Sequence, residues 1–212
     1  MNPVKVIEKL LLKECRTREP SAGYDSCIVC ASSVVWRIST LFPESFIISN
    51  AAAQVFPNLA SICHSVRDLK VPLIAVVGTT AVDLEKLISL PVQSAEIEFK
   101  LLRKTYEENA EILLSLYDNP KVLNAALMEI NVDNQIEKLL SISDIKEPVE
   151  QGKLAVCGLV LDEENLYGDR PNFYLINFNG ISDPDEIRNL PELEEIPESV
   201  RKQKIKRIHV QL

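Results

Sequence analysis

Four short runs of this chain are apolar at nearly every position, and they constrain its fold more than any other feature. Residues 27–31 read C-I-V-C-A, 46–49 F-I-I-S, 72–77 P-L-I-A-V-V and 154–161 L-A-V-C-G-L-V-L. A strand with one wet face alternates apolar and polar residues, whereas a strand buried on both faces does not. Between the runs lie segments of helical period. Residues 58–69 form one, and a longer one from about 93 to 116 carries Ile97, Leu101, Leu102, Ile112, Leu113 and Leu116. A third, 121–140, carries Leu127, Ile130, Ile136 and Leu139. Buried strands alternating with helices predict an α/β fold with a mostly parallel central sheet flanked by helices. The run 173–178 predicts a further strand, a hairpin partner for 154–161, and 205–210 predicts an edge strand.

The ends of the chain have a different character. Val4, Ile7, Leu10, Leu11 and Cys15 fall on one face of a helix over residues 3–15. Three prolines, Pro184, Pro191 and Pro197, interrupt the C-terminal stretch, and the acidic run Glu192, Glu194, Glu195, Glu198 precedes the basic run Arg201, Lys202, Lys204, Lys206, Arg207. That stretch, with His209, reads as a solvated charged tail. The expected organisation is one domain over 1–180, with an N-terminal helical arm (about 1–20), and a C-terminal extension over 181–212.

Charge and cysteine usage narrow the function classes. A net charge of −8 argues against a nucleic-acid partner, because phosphate binding needs a dense Lys/Arg face. No segment approaches the roughly 20 apolar residues of a membrane span. Glu8, Lys9, Lys13 and Glu14 flank the leucines at 10–12, so the N-terminus does not read as a signal peptide. Five cysteines, at 15, 27, 30, 63 and 157, do not read as a disulfide framework and suggest a reducing cytoplasm. Cys27 and Cys30 form a C-x-x-C, but on a strand they point to opposite faces.

Three segments taken together resemble a known family. They are S-C-I-V-C-A-S-S-V-V at 26–35, F-I-I-S-N-A-A-A-Q-V at 46–55 and V-P-L-I-A-V-V-G-T-T-A-V-D-L at 71–84. Their frame resembles the β-class carbonic anhydrases, which carry C-A-D-S-R-V, R-N-A-G-N and G-H-T-x-C-G after their first three strands. N-V-D-N-Q-I-E-K-L-L at 131–140 is similar to a helix of that family, and residues 145–160 to its following helix, glycine turn and return strand. The resemblance spans about 26–178 and implies a β-carbonic-anhydrase-like fold and a homodimer or higher oligomer. In it, the N-terminal helix crosses onto the partner chain.

The reactive positions are another matter. The resemblance puts Cys30 at the first zinc thiolate, Thr79 at the histidine ligand and Val82 at the second cysteine. Ser32 and Val34 stand where the family has an aspartate and an arginine, and Ser49 where it has another arginine. A catalytic zinc takes three N, S or carboxylate ligands and leaves a place for water, whose pKa it lowers to about 7. One cysteine, a hydroxyl and a hydrocarbon do not supply that set. The expectation is therefore a carbonic-anhydrase-like protein without zinc or CO2 hydration. It would serve as a binding or structural subunit, either as a homodimer or with an active carbonic anhydrase paralogue.

Two alternatives belong to other classes. The cleft could serve a different enzyme, with the Cys30 thiol as nucleophile, or hold a small anion at Asn50, Thr79 and Thr80. Thr79 and Thr80 otherwise read as caps of a helix beginning at Thr80, with Asp83 three residues on. A relocated metal site would need Cys30 with Asp83, His64 or Cys63. His64 and Cys63 are adjacent on a helix and do not chelate together.

Overall fold

The computed structural model describes residues 23–89 and 96–208. The helix expected over 3–15, and His209 with the last residues of the tail, lie outside them.

In chain order the elements are β1 (Ser26–Ala31), α1 (Val35–Leu41), β2 (Ser45–Asn50), α2 (Leu59–Arg67), β3 (Leu73–Thr79), α3 (Leu84–Ile88) and α4 (Glu96–Leu116). There follow α5 (Pro120–Leu140), α6 (Ser143–Glu150), β4 (Ala155–Asp162), β5 (Asn172–Phe178), α7 (Pro184–Arg188) and α8 (Glu198–Lys204). All five strands join one sheet in the order β2-β1-β3-β4-β5. The first four are parallel and β5 returns antiparallel to β4, as the hairpin reading expects.

The register explains the apolar runs. Cys27 pairs with Phe46 and Ile74, and Cys30 with Ser49 and Val77. Every residue of β1 is buried because the sheet is covered on both sides. One layer gathers Cys27, Val29, Ile74, Val76, Val156 and Val160 against α2, α5 and α6. The other gathers Ile28, Cys30, Val77, Cys157 and Leu161 against Ile38 of α1 and the segment after β5. Cys27 and Cys30 do belong to opposite layers.

Helix α5 lies so close to the sheet that two strand positions have no room for a side chain. A Cβ on Gly78 would stand 2.7 Å from Met128 Cγ, and one on Gly158 2.7 Å from Val132 Cγ1. Close helix–strand approach is a standing reason for glycine inside a strand. Helix α6 ends at Gly152, whose φ of +65° is the left-handed conformation glycine adopts freely.

Three expectations are corrected. The helix placed at Thr80 starts at Leu84, and Asp83 is its cap, its Oδ1 accepting from Lys86 N at 2.9 Å. The residues between are bent around the end of β4 instead of helical. The expected edge strand reduces, among the described residues, to one parallel bridge between Ile205 and Leu175. The charged tail is not simply solvated. Ile187, Leu193 and Ile205 enter the second layer, and the Arg207 side chain is 2% exposed, pairing with Asp133 at 2.6 Å and Glu129 at 3.5 Å. No helix among the described residues is long and apolar enough to cross a membrane.

Candidate functional site at the strand crossover

The connection after β1 leads to β2 on one side, while β3 lies on the other. At such a switch point the chain leaves the strands in opposite directions and opens a crevice beyond their carboxyl ends, the usual ligand site of an open α/β sheet. Cys30 and Ala31 end β1 there, Gly78 and Thr79 end β3, and Asp162 ends β4.

Cys30 is fully buried and packs with Val34, Ile38 and Val77. Burial among apolar groups disfavours a thiolate and pushes its pKa up to about 11. Ser32 is exposed and opens a single 3-10 turn, while Val34 ends that turn buried. Val82 is partly buried and touches both layers.

Thr79 lies two residues beyond Val77, the register partner of Cys30, so it stands on the same face of the sheet, roughly 6.6 Å further along. Its side chain is fully buried, and Oγ1 donates to Glu163 Oε2 at 2.9 Å while accepting from Ala81 N at 3.3 Å. The other carboxylate oxygen, Glu163 Oε1, is 3.0 Å from Arg37 Nη1. An ion pair therefore spans the crevice mouth, from the helix after β1 to the loop after β4, above the end of β3.

Thr80 points the other way, as the next residue of an extended chain must. Its Oγ1 accepts from Glu163 N at 2.9 Å and Glu164 N at 3.2 Å. The carboxylate of Asp162, fully buried, accepts from Leu166 N at 3.0 Å and Tyr167 N at 2.8 Å. The 162–167 loop is thus pinned from within. The two threonine hydroxyls, expected as caps of the helix after β3, instead hold this loop.

Asn50 closes its own turn, with Nδ2 donating to Gln54 O at 2.6 Å and Oδ1 accepting from Gln54 N at 2.7 Å. The N-V-D-N-Q segment of α5 anchors that turn. Asn131 Nδ2 donates to Ala52 O at 3.0 Å and its Oδ1 accepts from Gln54 Nε2 at 2.7 Å. Gln135 Oε1 accepts from Val55 N at 3.1 Å. Asn131 and Gln135 are both buried, and their amides satisfy polar groups of that loop.

Cys63, His64 and Asp83 are not brought to Cys30. His64 Nδ1 faces Asp68 at 2.7 Å on the outer side of α2, whose buried Ile62 belongs to the opposite layer from Cys30. Among the described residues no three His, Cys, Asp or Glu side chains converge so as to hold a metal ion. Sequence reasoning missed Arg37 and Glu163. A signal for the first was present: Arg37 is the only Lys or Arg between Gly23 and Val66.

The sequence profile described as carbonic anhydrase matches residues 28–166. The chain belongs to the carbonic anhydrase family. Its fold is that of solved β-carbonic anhydrases. One of two tetrameric β-carbonic anhydrases from the filamentous ascomycete Sordaria macrospora is 20% identical, over 76% of this chain and 82% of that one, with a TM-score of 0.60. The β-carbonic anhydrase CafA of the fungal pathogen Aspergillus fumigatus is 18% identical, over 96% of this chain and 89% of that one, with a TM-score of 0.62. The Coccomyxa β-carbonic anhydrase, in complex with acetazolamide, is 15% identical over 87% of this chain and 89% of that one, at 0.61. No curated protein sequence matches the chain. The crossover crevice, with Cys30 and Thr79 at its floor, lies wholly inside the stretch that carries the carbonic anhydrase likeness.

Proposed function

We propose that this member of the carbonic anhydrase family neither holds zinc nor hydrates CO2, and serves as a binding or structural subunit. The observation that carries the reading is the donor set at the three ligand positions. Cys30 offers a thiol that burial keeps protonated, with a pKa of about 11. Thr79 offers a hydroxyl already engaged with Glu163, and Val82 offers no donor atom. Zinc needs deprotonated sulfur, imidazole or carboxylate at three of its positions, and these residues do not fit it. The same high thiol pKa argues against the alternative of a Cys30 nucleophile, since the reactive form is the thiolate.

Assembly into a homodimer or higher oligomer, or with an active carbonic anhydrase, is part of the proposal. It is supported by large apolar side chains left in solvent, among them Trp36 at 65% exposed, Leu41 at 55% and Phe56 at 50%. Covering such side chains with another chain would remove their apolar area from water.

The test is elemental analysis and stopped-flow CO2 hydration on protein purified without chelators, beside a Thr79→His/Val82→Cys variant that restores the donor set. The wild type is expected to carry no stoichiometric zinc and no activity above background, and the variant to gain metal. One zinc per wild-type chain with hydration activity would overturn the reading. Sedimentation at micromolar concentration tests the assembly, and a monomer would count against it.

A further inference from the structure

A carboxylate bound by a guanidinium on one oxygen and a hydroxyl on the other has the ligation of a bound anion. In this crevice the carboxylate belongs to the chain itself. Glu163 Oε1 meets Arg37 at 3.0 Å, and Oε2 accepts a hydrogen bond from the Thr79 hydroxyl at 2.9 Å. Charge-assisted contacts of this kind are the strong class of hydrogen bond. The three side chains come from three elements around the switch point, where an α/β sheet presents its ligand site.

We propose that the crevice is a site for a small monocarboxylate filled in cis by Glu163, so that vacating this residue exposes a receptor for formate- or acetate-sized anions. The proposal rests on the metal-free reading above, since it assigns the Thr79 hydroxyl to an anion.

The frame around Glu163 does not depend on its side chain. Thr80 Oγ1 holds the backbone N–H groups of Glu163 and Glu164, and the Asp162 carboxylate holds those of Leu166 and Tyr167. Removing the carboxylate leaves these bonds in place. Arg37 then faces an empty place at the crevice mouth, where its side chain is 34% exposed and solutes reach it. In the intact protein the tethered carboxylate acts at an effective concentration of about millimolar or more, which a free anion must exceed. Neighbouring Glu164 provides a matched control, because it pairs with Lys121 of α5 instead.

The experiment is isothermal titration of sodium acetate, at pH 7 and constant ionic strength, into four full-length proteins. These are wild type, Glu163→Ala, Glu163→Ala/Arg37→Met and Glu164→Ala, with the shift of melting temperature in acetate as a second readout. Glu163→Ala is expected to bind acetate with a Kd at least about tenfold below that of wild type. Arg37→Met in the same background should abolish the gain, and Glu164→Ala should titrate like wild type. If Glu163→Ala, shown folded by circular dichroism, gains no acetate affinity, the proposal is wrong. An equal gain in Glu164→Ala would also overturn it, by reducing the effect to net charge. Metal analysis of the same samples separates the two readings. Zinc-free protein without acetate binding refutes the carboxylate site alone, and zinc-loaded wild type refutes the metal-free reading.

Discussion

Replacing Arg207 by Met should destabilise the protein by an amount that a surface residue cannot produce. The guanidinium is 2% exposed and stands 2.6 Å from Asp133 and 3.5 Å from Glu129, whose side chain is fully buried. Its Nη1 also donates to Ile176 O at 3.2 Å. Glu129 accepts further from Tyr167 Oη at 2.5 Å and from Ile208 N at 2.8 Å. Methionine fills much of the volume but removes the cation from two carboxylates. Breaking one side of a buried pair costs about 3–5 kcal/mol, because the remaining charge keeps its desolvation penalty. Total stability is on the order of 5–15 kcal/mol. For a chain of this size each kcal/mol moves Tm by about 2–4 °C, giving a fall of roughly 6–20 °C. Urea unfolding should be followed by far-ultraviolet circular dichroism, since Trp36, 65% exposed, is a poor reporter of the core. A Glu129→Gln/Arg207→Met double variant should recover part of the loss, and the coupling in that cycle isolates the pair. If Arg207→Met alone lies within about 1 kcal/mol of wild type, the argument is refuted, because exposed pairs are worth no more than that.

Two further outcomes follow from packing and from burial. Gly158→Ala should cost about 1–3 kcal/mol and exceed Gly78→Ala. Its Cβ meets the stiff Val132 Cγ1 at 2.7 Å, whereas that of Gly78 meets the flexible Met128 first; equal or reversed costs in denaturant melts would contradict this. Stability should also decline in alkali. Burial raises Cys27 and Cys30 to about 11 and Cys157 to about 12 from an ordinary 9.0. Below the unfolded value both states keep their protons and the contribution is fully present. Above it the unfolded chain ionises first, so stability falls until the folded pKa is passed. The window runs from about 9 to 11 for Cys27 and Cys30 and to about 12 for Cys157, and a Tm unchanged across it would refute the burial argument.

Much of this fold is legible in the sequence because its strands are buried on both faces. Residues 27–31, 72–77 and 154–161 have no polar side to misread, and their structural limits differ from the expected ones by a residue or two. The N-V-D-N-Q segment is legible in the sequence only as a resemblance, because its role in satisfying the turn after β2 depends on where Asn131 and Gln135 stand in space. The C-terminal stretch misled because charge runs usually face solvent. Its counterpart was visible as Glu129 inside the apolar A-A-L-M-E-I run of α5, an acid on a buried stripe in want of a cation. Arg37 and Glu163 are 126 positions apart, and neither lies in the matched motifs, so only the topology joins them. The Thr80–Asp83 spacing suggested a capping box, but Glu163 N and Glu164 N claimed the threonine first.

The division of the sheet's thiols between two layers gives the protein a pair of internal clocks. Cys27 is sealed beneath the α2 and α5 side, and Cys30 and Cys157 beneath the α1 and C-terminal side. A buried thiol is inert to alkylating reagents until the structure over it opens. Proteins open in cooperative units of unequal stability, and the two layers here are separate buried clusters. Labelling kinetics at Cys27 against Cys30 would therefore time the departure of each helical layer separately, without any introduced probe. Equal rates would mean that the sheet is uncovered on both sides in one event.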